Sequence, residues 1–134
     1  LLLPLPDGHD ARRILSGVKH PAQVEAAKDA VDVAVRAIEE GDVLLLGEAL
    51  GMGQRSKATI SGAVPRRVAD FVTAVLGVPG VSGCKVAGAG GGGHLVVAIS
   101  GDVPEVVKHL REATQIEPVR VKPDLRGVRS EGYV

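Results

Sequence analysis

Apolar positions recur along this chain with two different periods, and the switches between them mark its elements. Leu1 to Leu5 is a short apolar run closed by Pro-Asp-Gly, which reads as a first strand entering a turn. Pro21 is a favourable first-turn residue, and after it Val24, Ala27, Val31, Ala34, Val35 and Ile38 recur at helical spacing. Glu25, Lys28, Asp29, Asp32, Arg36 and Glu39 cover the other face, which predicts an amphipathic helix ended by Gly41. Asp42 can cap a second, shorter helix through Leu50. Gly51, Met52 and Gly53 then break the pattern, and the polar cluster Gln54, Arg55 and Lys57 follows. Val64 to Leu76 is helical again, with Val68, Phe71, Val72 and Val75 on one face and Gly77 as its stop. Cys84 to Ala87 is strand-like, and Leu95 to Ile99 reads as a buried strand. Asp102 and Glu105 have capping-box spacing around Pro104, and the helix they start runs to about Ala113 with Val106, Val107 and Leu110 facing in. Pro118 to Lys122 alternates as a strand, and Val128 to Val134 suits a final extended segment. Residues 11–20 carry no clear pattern.

The resulting order is strand, helices, strand, strand, helix, strand. That is the ferredoxin-like α+β order: an antiparallel sheet with helices on one face and extra helices in the first crossover. No internal repeat or low-complexity linker interrupts the 134 residues, so residues 1–134 read as a single domain.

Composition narrows the function. Lys and Arg number 16, Asp and Glu number 16, and the formal net charge is zero, so no general field attracts nucleic acid or an acidic membrane. Phe71 and Tyr133 are the only aromatics, which leaves no platform for stacking bases or sugars. Cys84 is the only cysteine, which excludes an internal disulfide and a thiolate metal cluster. The apolar runs are far too short for a bilayer, and the opening Leu-Leu-Leu-Pro-Leu-Pro lacks the basic flank of a signal sequence. The expectation is a cytoplasmic protein. The first residue is Leu, not Met, which hints at a piece of something longer.

Five of the six positions Gly88-Ala89-Gly90-Gly91-Gly92-Gly93 are glycine. Each glycine costs roughly 0.5–1 kcal/mol of extra chain entropy in regular structure. So dense a cluster makes sense where bare backbone approaches a ligand and several N–H groups point at it, with phosphate oxygens the usual partner. The plain alternative is a hairpin tip that tolerates glycine, or tight packing against another chain. The string satisfies G-x-G-x-x-G at Gly88, Gly90 and Gly93, but a strand follows it rather than the helix a dinucleotide site needs. No Gly-Lys-Ser/Thr follows either, which excludes a Walker loop.

The stretch Gly83-Cys84-Lys85-Val86-Ala87-Gly88-Ala89-Gly90-Gly91-Gly92-Gly93-His94-Leu95-Val96-Val97-Ala98 resembles the third conserved motif of the GHMP kinases, the galactokinase, homoserine, mevalonate and phosphomevalonate kinase superfamily. The flanking helices and strand fall in that family's order, and the resemblance covers most of the chain from about Pro21. It implies the family's ferredoxin-like C-terminal domain. The four-glycine form is similar to the sugar and sugar-phosphate branch, although His94 stands where that branch often has an aromatic. The family's N-terminal domain carries a Pro-x-x-x-Gly-Leu-x-Ser-Ser-type loop around the ATP phosphates, and no Ser-Ser pair occurs in this chain. The resemblance therefore implies a catalytically incomplete part of an ATP-dependent kinase, with ATP and Mg2+ bound mainly by a missing N-terminal domain. Gly88 to Gly93 would lie at the domain interface and help shape the site where the γ-phosphoryl meets a sugar or sugar-phosphate acceptor.

Other residues carry two readings each. Lys85 could face a phosphate or stand as an exposed strand charge. His94 could bond an acceptor hydroxyl or sit half-buried in its strand. Gln54, Arg55 and Lys57 form a polar cluster in the region where some family members contact the acceptor, with Gln54 and Arg55 the candidate contacts, but a polar cluster at a glycine break also reads as a solvated helix end. Asp7, His9 and Asp10 are close in sequence yet lack a fourth spaced metal ligand, so a surface turn is the simpler reading. Cys84 is most simply a small buried residue. Self-association stays open. The rival function is a free-standing ferredoxin-like module that holds a small anionic ligand or a protein partner without catalysis.

Overall fold

The computed structural model describes residues 1–5, 12, 14, 16, 17, 21–60, 64–122 and 126. Asp7, His9, Asp10 and the segment 128–134 lie outside the described residues. Seven elements follow one another: β1 (Leu2–Pro4), α1 (Pro21–Glu40), α2 (Val43–Ala58), α3 (Arg66–Leu76), β2 (Val81–Val86), β3 (His94–Ile99) and α4 (Val103–Thr114). The strands form an antiparallel sheet in the order β1-β3-β2. Leu2 and Val119 exchange two backbone hydrogen bonds, of 2.8 and 2.7 Å, as an antiparallel bridge on the other side of β1. The spatial order fourth, first, third, second is that of a ferredoxin-like domain. The strand predicted over 118–122 is reduced to that bridge, and Val119 and Val121 are about half exposed.

One face of the sheet carries the core. Pairing of Val86 with Leu95, Cys84 with Val97, and Leu3 with Leu95 puts these side chains on the same face. Above them α3 presents Val68, Val72 and Val75, and α4 presents Val106 and Leu110. These spacings of three and four residues are the buried stripes of two amphipathic helices. Leu3, Leu95, Leu110, Val75 and Val86 have no exposed surface, and each contributes about 1.5–3 kcal/mol by leaving water. Cys84 is part of this core, and burial pushes its thiol up to about 11, so it packs as a small apolar group. At the start of α4 the Asp102 carboxylate accepts from the Glu105 amide at 3.1 Å, as the sequence pattern predicts.

The first crossover departs from its pattern twice. Helix α1 has the predicted length, but its apolar stripe is not its buried face: Val24, Val31, Val35 and Ile38 are all exposed, and only Ala30 and Ala37 are buried. Small residues let α1 lie close along α2, and the bulkier stripe is turned outward. Helix α2 does not stop at Leu50. It runs through Gly51, Met52 and Gly53 to Ala58, with Gln54, Arg55 and Lys57 in its last turns rather than in a loop. Glycine costs about 1 kcal/mol in a helix interior, so something outside the helix offsets it. That partner is β2.

A lysine-lined cleft at the glycine loop

Helix α2 lies along the open edge of the sheet. A Cβ on Gly47 would overlap the carbonyl of Ser82, and a Cβ on Gly83 would overlap the carbonyl of Gly47, so helix and strand meet backbone to backbone. An edge strand leaves unpaired N–H and C=O groups, and here the helix answers them. The Val86 amide donates to Gln54 Oε1 at 2.9 Å, and the Val86 carbonyl accepts from Lys57 Nζ at 2.5 Å. Gln54 and Lys57 are three residues apart and so share a helix face. Ser82 Oγ donates to the Val43 carbonyl at 3.2 Å at the far end of the same contact.

Lys57 reaches one residue further than the strand. Its ammonium also donates to the carbonyl of Gly88, the first residue of the glycine loop. Lys85 approaches from β2, and its stem crosses α2 at Gly53, where a Cβ would stand 3.1 Å from Lys85 Cδ and Cε. Gly53 therefore makes room for a lysine as Gly47 makes room for a strand. Burial first, and the nearby Lys85 charge second, pull the Lys57 ammonium down to about 8. Neither lysine has a carboxylate partner among the described residues.

The loop itself is unevenly placed. Gly88, Gly90 and Gly93 have φ of 67°, 108° and 95°, which side-chain-bearing residues rarely adopt. Gly90, Gly91 and Gly92 are buried, Ala89 and Gly93 are half-buried, and Gly88 is exposed. No amide of residues 88–93 donates to a described residue. Gly88 and Ala89 border a cleft of about 320 Å3 between α1 and α2, with Gly53, Lys57 and Lys85 at the same end and Val24, Ala27, Val31, Leu50 and Ile60 along its walls.

Of the residues singled out from the sequence, the cleft brings together Lys85, Gly88 and Ala89. Gln54 is buried and its carboxamide oxygen is occupied by β2. Arg55 is exposed and lines a shallow hollow with Ala26, Asp29 and Met52, away from the lysines. His94 is exposed at the start of β3, opposite Pro4. The sequence marks Lys57 only as part of the polar cluster after Gly53, not as the residue that holds β2 and the start of the loop. Its signal was the three-residue interval from Gln54, which becomes informative only when the helix is known to continue past Gly53. Among the described residues no group of three or more His, Cys, Asp or Glu is placed to hold a metal ion. No helix of the described residues is long and apolar enough to cross a membrane.

A three-stranded antiparallel sheet extended by the bridge at Val119, with two helices over its core and a glycine loop between β2 and β3, defines a ferredoxin-like α+β domain. The family model of the GHMP kinases C-terminal domain matches residues 34–115, from the middle of α1 to the end of α4, and the chain belongs to that family. No curated protein matches the chain. Kinases of this family are transferases that use ATP with Mg2+.

Proposed function

We propose that this chain serves as the C-terminal half of an ATP-dependent small-molecule kinase that transfers the γ-phosphoryl group to a hydroxyl of a sugar or sugar phosphate. The glycine loop shapes the phosphate and acceptor side of that site, with Gly88 to Gly93 and Lys85 facing the ligand. ATP and Mg2+ are held mainly by an N-terminal domain of the kind the family's kinases possess. The observation that carries this reading is the start of the loop: Gly88 is tied to α2 by Lys57, and its amide and that of Ala89, without a described acceptor, border a cleft lined by two lysines that have no carboxylate partner among the described residues. Phosphoryl transfer depends mostly on positioning and charge stabilisation, so a fixed loop of this kind can matter without moving a proton. Val35 and Ile38, exposed on α1 outside the cleft, support a neighbouring domain as their cover.

The test is transfer of labelled phosphate from ATP by the longer protein that contains this chain, across a panel of sugars and sugar phosphates. Turnover on at least one is expected. A longer protein without a phosphate-loop domain, or one that binds no ATP, overturns the reading. The second reading, a non-catalytic module, is favoured by one observation: the lysine pair and the cleft are built wholly from this chain.

A further inference from the structure

We infer that the cleft between α1 and α2 binds a small amphipathic anion, a carboxylate or phosphomonoester on a hydrocarbon body, with its head between Lys57 and Lys85 and its body along the helices. This goes beyond the kinase reading and does not require phosphoryl transfer.

Three features of the cleft converge on it. The first is charge. Two ammonium groups are brought together at one end, close enough for the Lys85 charge to act on Lys57, and no carboxylate among the described residues neutralises either. Like charges held together disfavour each other, and an anion between them reverses that effect. The second is the backbone. Gly88 and Ala89 border the same end, and their amides have no acceptor among the described residues, so N–H donors add to the two ammonium groups.

The third is the wall. Val24, Ala27, Val31, Leu50 and Ile60 present hydrocarbon along the remainder of the cleft. Its polar side chains are already engaged: Ser56 Oγ donates to the Gln23 carbonyl at 3.1 Å, and Gln23 Nε2 donates to the Thr59 carbonyl at 3.2 Å. A sugar ring laid on this wall would leave hydroxyl groups facing hydrocarbon without partners. The cleft ligand is therefore distinct from a sugar acceptor. A volume of about 320 Å3 lies at the small end of ligand pockets, which suits a short chain with one charged end.

The experiment is a 1H–15N NMR titration of this 134-residue chain at pH 7, without ATP, using five probes: hexyl phosphate, hexanoate, inorganic phosphate, hexanol and glucose 6-phosphate. Hexyl phosphate or hexanoate is expected to bind at least about tenfold more tightly than each of the other three, and to shift the amides of Gly88 and Ala89. The tighter of the two names the head group. Lys85→Met is expected to weaken that probe by about tenfold, and Lys85→Arg to retain most of the affinity. Lys85 is the residue to change because Lys57 also braces β2. Equal binding of inorganic phosphate and hexyl phosphate overturns the apolar part of the proposal. Unchanged affinity in Lys85→Met, or shifts confined to residues away from the cleft, overturns the site. The two readings share Lys85 and the start of the loop, but their tests are separate: this one stands or falls on binding to the isolated chain without ATP, and the kinase reading on turnover with ATP.

Discussion

Helices α1 and α2 lie side by side and both pack through small residues, although their sequence patterns promise opposite things. α1 carries the longest amphipathic pattern in the chain, yet Val31 is 59% exposed and Ile38 is 71% exposed. α2 carries glycine at 47, 51 and 53, yet it runs unbroken for 16 residues and touches β2 at backbone distance. An apolar stripe shows which face could be buried. It does not say that a partner within the same chain buries it. Small residues on a helix carry the complementary information, because they mark where another backbone comes near. In this domain the second kind of signal locates the site: Gly47 and Gly83 bring helix and strand together, and Gln54, Lys57 and Gly53 then set the start of the glycine loop beside two lysines.

The contrast can be broken most sharply at the glycine contact. Gly83→Val puts a branched side chain into the Gly47 carbonyl and is expected to cost about 3 kcal/mol or more, read as a lower urea midpoint. An unchanged midpoint would mean that α2 does not lie on β2. Gln54→Leu tests the same edge more gently. It leaves the Val86 amide without its acceptor, and a loss of about 1–2 kcal/mol is expected in the same measurement.

Much of the fold could be read from the chain, and the reasons are local. Val68, Val72 and Val75 report α3 because their spacing matches the helix they occupy and they are buried where the pattern puts them. Asp102 and Glu105 announce the start of α4 because capping is an interaction within one turn. The glycine loop is visible because Gly88, Gly90 and Gly93 take a positive φ that side-chain-bearing residues rarely adopt. The continuation of α2 past Leu50 was not legible, since the contacts that outweigh the glycines come from β2, some 30 residues later. The same distance hid the role of Lys57, which the sequence shows only as one of a polar cluster. Its acceptors, Val86 and Gly88, are separated from it by 29 and 31 residues. Gln54 and Arg55 were visible as polar residues, but which of them meets β2 and which meets solvent depends on the helix phase that the strand imposes.

Two smaller effects sharpen the comparison. Lys57 is held near 8 in the folded chain against an ordinary value of 10.5. Between those values the unfolded chain binds more protons at this site than the folded one, so this group's contribution makes stability rise with pH from about 8 to 10.5. Its penalty is fully present below about pH 8. Lys57→Met is expected to lack that rise when urea midpoints are measured at pH 7, 9 and 10. Parallel profiles for the two proteins would contradict the placement of Lys57. The smallest effect belongs to α1. Ile38→Ser is expected to change the stability of this chain by no more than about 0.5 kcal/mol, because the side chain is already in water. A loss near 2 kcal/mol would show that the stripe has a cover in the isolated chain.

The glycine loop as part of a phosphoryl-transfer site is tested most directly by Gly90→Val in the longer protein. Gly90 has φ of 108° and is buried, so valine there must displace the loop. A misplacement of about 1 Å at such a site costs roughly a hundredfold in turnover. The predicted result is a fall of that size in ATP-dependent phosphorylation, measured at a temperature below the variant's melting transition, and turnover equal to the parent protein would contradict the account.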